Sequence, residues 1–154
     1  MGRRSIFLDW LEKEIKVQKN DDKDGWPDFY PSDLALPPMD AFDANAEEIV
    51  YRLVKSIPPT EKCFFCTHQE QPNRHKQCHT LEEKQAVYGT SVWNSKDLLV
   101  EVMASLPEAL KQRKLACGTI SAGMGKIRKT LVAGHFTLWL KKNSRVHLNF
   151  SEVK

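Results

Sequence analysis

The chain has 154 residues, 41% of them apolar and 28% charged, with seven glycines and eight prolines. That length suits one domain able to bury a core, and the composition excludes collagen-like and wholly disordered classes. The net charge of +3 conceals a polarity: residues 1–60 carry eight Lys/Arg against twelve Asp/Glu, residues 61–100 five against five, and residues 101–154 ten against three.

At the start, Arg3 and Arg4 are not followed by the apolar stretch of about 7–15 residues that a secretory leader needs, and Ile6 stands where a myristoylation signal wants a hydroxyl. No run of about 18 apolar residues follows anywhere. The expected setting is intracellular, cytoplasmic or nuclear, without a membrane. Over residues 5–19, Ile6, Leu8, Trp10, Leu11, Ile15 and Val17 approximate a helical stripe with acids early and lysines late, which predicts a helix. Residues 20–42 form an acidic Pro-rich loop, because Pro27, Pro31, Pro37 and Pro38 bar a continuous helix; Trp26, Phe29 and Tyr30 are its expected anchors. Asp43 can cap a second helix, with Glu47 and Glu48 early in it and Ile49, Val50, Leu53 and Val54 at core-facing spacing, until Pro58 and Pro59 stop it.

Residues 61–80 hold the densest chemistry, with Cys63, Cys66, His68, His75, Cys78 and His79 crowded together and the fourth cysteine, Cys117, remote. A Cys-x2-Cys turn can aim two thiolates at one ion, and Zn²⁺ takes four N/S ligands tetrahedrally at about 2.0–2.3 Å. The clustering beside histidines points to metal rather than to disulfides. Cys63, Cys66, His75 and Cys78 are the expected zinc ligands, because thiolate binds zinc strongly and a spare cysteine beside such a site would be vulnerable. His79 is the substitute if residues 73–80 are helical, which would place it on one face with His75. Free, semi-buried thiols and solvated histidines are the bland alternative. A structural ion is expected rather than a catalytic one, since four N/S ligands leave no open position. Deaminase chemistry is not expected, because no His-x-Glu precedes Cys63 and Glu61-Lys62 stands where a proline would introduce the cysteine pair.

Asn94 or Ser95 caps an apolar-periodic run through Leu98, Leu99, Val102, Met103 and Leu106, which Pro107 interrupts before it resumes at Leu110; this predicts a kinked helix or two short ones. Residues 115–153 then read as a basic β region punctuated by Gly118, Gly123, Gly125 and Gly134. Residues 118–126 fail as a phosphate loop, because Met124 separates Gly123 from Gly125 and Ile127 follows Lys126. Period-two alternation predicts a closing hairpin in which Phe136, Leu138 and Leu140 pair with Val146, Leu148 and Phe150 across residues 141–144. The expected fold is α+β: N-terminal helices, a central zinc-stapled segment (61–80) and a small C-terminal antiparallel sheet ending in a hairpin, all in one domain.

Trp139 falls on the opposite face of that hairpin from the core. It is either an exposed stacking platform or a ring covered by a helix. In the first case Trp139, Lys126, Arg128, Lys129, Lys141, Lys142 and Arg145 form a surface for single-stranded nucleic acid, RNA rather than DNA because no recognition helix is evident. The expected function is a zinc-binding, non-enzymatic regulatory or accessory protein of viral type acting through that surface. The alternative is an adaptor that docks a host or cellular protein through the zinc module and the acidic loop, with Phe29, Tyr30 and Leu34 as anchors. An enzyme is not expected, since neither an open zinc position nor a general base is visible. A homodimer pairing the acidic loop with the basic sheet is compatible with the polarity.

Overall fold

The computed structural model describes residues 25–153, so the helix expected over residues 5–19 lies outside them. Seven strands, β1 (Phe42–Asp43), β2 (Val50–Val54), β3 (Thr90–Trp93), β4 (Lys114–Gly118), β5 (Gly125–Lys129), β6 (His135–Leu140) and β7 (Phe150–Glu152), form one sheet in the order β1-β5-β6-β3-β2-β4-β7. Every neighbouring pair is antiparallel. The described helices are short: α1 (Thr67–Glu70), α2 (Leu81–Ala86), α3 (Lys96–Ala104) and α4 (Glu108–Lys111), with 3-10 turns at Glu61–Phe64, Arg74–Gln77, Ala122–Met124 and Val146–Asn149. The chain is a mixed helix-and-sheet fold built on an antiparallel sheet.

That sheet is neither small nor confined to the C-terminal region, because β1, β2 and β3 come from the first 93 residues. The segment expected to be a helix from Asp43 onward instead supplies β2, whose five residues pair one-to-one with β4 from Val50↔Gly118 to Val54↔Lys114. Val50, Arg52 and Val54 are buried on alternate positions. An arginine on the inward face interrupts the apolar alternation that would have marked the strand.

The predicted closing hairpin does not form. β6 pairs β5 and β3, whereas residues 146–149 make a 3-10 turn and β7 pairs β4. The hairpin that does exist joins β5 to β6 through residues 130–134, where Gly134 takes φ 76° and Asn94 N–H donates to its carbonyl at 2.9 Å. A glycine suits that left-handed position because a Cβ is strained there. Leu148, expected in the core, is 68% exposed. The interruption at Pro107 follows the sequence reading, with α3 capped by Ser95 Oγ accepting from Leu98 N–H at 3.3 Å and α4 beginning immediately after the proline.

Successive β6 residues point to opposite faces, and both faces are covered. Leu138 joins Val50, Val54, Phe64, Val92, Ala116, Ile127, Val146 and Phe150 in one cluster. Trp139 joins Trp26, Ala41, Val87 and Tyr88 in the other, with Phe29, Tyr30, Leu34 and Leu36 packed against it. Residues 26–41 are therefore an apron laid over the second face. Two ion pairs join its acids to the basic C-terminal region: Arg128 on β5 to Asp40 at 3.2 Å, and Lys142 just past β6 to Asp28 at 3.5 Å.

Candidate functional site

Trp139 is fully buried. Its Nε1–H donates to the Gln85 carbonyl at 3.0 Å, and the Arg128 guanidinium lies 5.2 Å from its ring centre. Arg128 also donates to Gln85 Oε1 and Asp40 Oδ1, each at 3.2 Å, while Gln85 Nε2–H donates to the Ala35 carbonyl at 3.1 Å. Gln85 thus binds α2, the apron and the β5–β6 hairpin together. The exposed stacking platform is corrected accordingly: Trp139 is a core ring, covered by the apron and α2, and Arg128 is its internal partner. Of the other basic residues singled out, Lys129, Lys142 and Arg145 are exposed and Lys126 and Lys141 half-buried.

Lys141, Lys142 and Arg145 meet elsewhere. Beyond β6 the chain turns sharply, with Asn143 at φ 60° and Arg145 at φ 55°, and packs beside the 3-10 turn Glu61–Phe64. A cleft of about 170 Å³ opens there, lined by Phe29, Phe64, Phe65, Lys142, Arg145 and His147 among others. Aromatic walls and a cationic rim are thus brought together by contacts between segments more than 70 residues apart, which no local pattern could signal. Phe65 carried no sequence signal at all beyond standing next to Cys66.

The expected anchors Phe29, Tyr30 and Leu34 are half-buried against the second cluster. Phe29 and Tyr30 pack edge to face at 5.5 Å, and both contact Tyr88, at 6.4 and 6.0 Å between ring centres. Burial pushes the Tyr30 hydroxyl far up, with Cys66 adding to the shift. Burial raises Tyr88 as well, followed by Cys66, Asp33 and Cys78.

Of the cysteines and histidines of residues 61–80, Cys63 packs in the first cluster and Cys78 against the second. Cys63 is 2% exposed and belongs to the first. Its sulfur accepts from Thr60 N–H at 3.4 Å and lies 3.7 Å from the hydroxyls of Ser56 and Thr60. Burial acts to raise this thiol, but those hydrogen bonds outweigh it and hold the thiol at about 7. Arg52 Nε–H donates to the Cys63 carbonyl at 2.8 Å, which locks the residue in place.

Cys66 caps α1, its N–H donating to Gln69 Oε1 at 3.0 Å and its sulfur facing the first-turn N–H groups; burial raises its thiol. His68, on α1, rests its ring 4.8 Å from Tyr88, 5.4 Å from Phe29 and 6.3 Å from His75. Its Nδ1 is buried with no hydrogen-bond partner. His75 Nδ1 lies 3.0 Å from the Pro72 carbonyl, an acceptor only, so that nitrogen carries the proton and Nε2 is left free. Cys78 packs against the second cluster.

Helix does not continue over residues 73–80. The 3-10 turn ends at Gln77 and Cys78 is extended, so His79 does not share a helical face with His75. His79 is exposed, and its N–H donates to Glu83 Oε2 at 2.9 Å at the start of α2. Among the described residues, no three His, Cys, Asp or Glu side chains converge closely enough, as they are placed, to hold a metal ion. No three of the expected ligands Cys63, Cys66, His75 and Cys78 meet as they are placed. No protein-family model, curated protein or solved structure matches the chain. Among the described residues there is also no helix long and apolar enough to cross a membrane.

Proposed function

We propose that the chain is a non-enzymatic, zinc-stabilised accessory protein that binds single-stranded nucleic acid, RNA in preference, at the cleft between residues 141–147 and the Glu61–Phe64 turn. The observation that carries this reading is the joining of Phe29 and Phe65 with Lys142, Arg145 and His147 around a space of about 170 Å³. Stacking a base on an aromatic ring contributes about 1–3 kcal/mol whatever the base, and cations at the rim meet the backbone phosphates. A splayed single strand can offer a base to such a cleft, whereas a stacked duplex cannot. The longest described helix, α3, exposes one base, Lys96, against two acids, Asp97 and Glu101, and so has no basic face to enter a DNA groove. The adaptor reading is weaker, because Phe29, Tyr30 and Leu34 pack into the protein's own second cluster.

Titration of a labelled single-stranded RNA dodecamer at two salt concentrations tests the reading. Binding should weaken steeply with salt. Replacing Lys142 and Arg145 together with alanine should lower affinity about tenfold or more and reduce the slope of log K against log salt by about 1.4, if each meets one phosphate. Phe65→Ala should weaken binding at every salt concentration. RNA binding that is absent at low salt, or indifferent to all three substitutions, rejects the proposal.

A further inference from the structure

On the zinc reading just given, we propose that the ion is held by Cys66, His68, His75 and Cys78, and that Cys63 is not a ligand. These four residues come from one short stretch, the start of α1 with its cap and the 3-10 turn Arg74–Gln77 with the residue after it. The His68 and His75 rings already lie 6.3 Å apart, about 1 Å more than two imidazoles on one tetrahedral ion require when each nitrogen is about 2.0–2.1 Å from it. Two observations point to a missing ligand bond. His68 Nδ1 is buried and unpartnered, an unfavourable state for a polar atom unless something satisfies it. His75 commits Nδ1–H to the Pro72 carbonyl, the outer hydrogen bond that ordinarily fixes the tautomer of a metal-binding histidine and presents Nε2.

Cys66 has an anchored backbone at the cap of α1, and Cys78 borders the cluster that contains Tyr88, the ring on which His68 rests. Gathering the four donors requires the side chains of His75 and Cys78, and residues 71–79 with them, to shift toward Cys66 and His68. Cys63 cannot join without cost. It packs inside the other cluster, with its carbonyl tied to Arg52, so reaching the other donors would pull it out of that core. The spacing is therefore Cys-x-His-x6-His-x2-Cys, two thiolates and two imidazoles, which closes the coordination sphere and suits a structural ion.

Cobalt(II) loaded into the full chain in place of zinc reports this directly, because thiolate-to-cobalt charge-transfer intensity scales with the number of thiolates. The wild-type protein should show two. Cys63→Ser should keep that spectrum and one zinc per chain by elemental analysis, Cys66→Ser and Cys78→Ser should each lose half of the intensity, and His68→Asn should weaken metal binding at least about tenfold. A three-thiolate spectrum in the wild type that falls to two in Cys63→Ser would overturn the ligand assignment while leaving the zinc reading intact. Wild-type protein that takes up neither zinc nor cobalt overturns both. The wild-type spectrum counts thiolates even where a substituted chain does not fold.

Discussion

Arg52 shows how much a single inward side chain can organise. It is 8% exposed on β2, donates to the Cys63 carbonyl and to the Ser91 carbonyl, and lies with its guanidinium 5.1 Å over the Phe64 ring. Burial lowers its pKa to about 10, partly offset by Glu70 and Cys63, so the group stays charged at neutral pH. Arg52→Met should destabilise the fold by about 2–3 kcal/mol in urea denaturation, because two carbonyls lose their donor. Arg52→Lys should rescue little, since an ammonium lacks the fork that reaches both. His135 makes a second prediction at this scale. Its ring nitrogens lie 2.8 Å from Thr130 Oγ1 and 2.8 Å from Ser91 Oγ, and burial lowers its pKa below the ordinary 6.5. A depressed histidine pKa means the unfolded chain takes up the proton more readily. Its stabilising contribution is complete above about pH 6.5 and lost as pH falls through that value toward the folded pKa. Thermal unfolding between pH 7.5 and 5.5 should reveal this loss, and His135→Gln should flatten the curve; an unchanged pH dependence would assign it to other groups.

At the level of elements, the β5–β6 hairpin is the part of the sheet on which both clusters depend. Gly125 opens β5 opposite Leu140, and a Cβ there would collide with the Trp139 carbonyl. Its backbone is extended, with φ 166°, so the requirement is for space and not for an unusual conformation. Gly125→Ala should therefore cost about 1–3 kcal/mol and raise amide exchange in β5 and β6 before the rest of the sheet. Strand and helix differed in how readable they were. The α3–α4 pair was legible because Ser95 and Pro107 punctuate a plain helical stripe. β2 was not, since Val50, Leu53 and Val54 fit a helical stripe as well as a strand, and pairing with β4 across five positions decided between them. The face of β6 was half legible: its alternation was correct, but Thr137 is buried, and Trp139 too, because the apron covers its ring where local sequence suggests a wet face.

For the whole molecule, the polarity of charge along the sequence becomes contact in space. The acidic apron lies against the basic C-terminal region within one chain, through Asp40 to Arg128 and Asp28 to Lys142. Both acids are largely exposed, and such pairs contribute less than about 1 kcal/mol each. Asp28→Asn with Asp40→Asn should thus shift stability little, yet raise the salt concentration needed to elute the protein from heparin by unmasking Lys142. An unchanged elution would mean the pairs do not mask the basic surface. The candidate cleft lay beyond sequence reading for the same reason: its rings come from residues 29–65 and its cations from residues 141–147, and only the folded sheet makes them neighbours.

The outermost strands are stubs, two residues in β1 and three in β7. An extended segment from a second molecule, arriving at either side, would find a template for only a few backbone bonds. Where the stubs end, Lys129 and Lys114 stand exposed. Edges this brief and this charged are how native proteins resist runaway stacking into fibrils. Concentrated preparations should accordingly stay dispersed while the fold is intact, and clouding on warming would report the loss of β1 or β7 from the sheet.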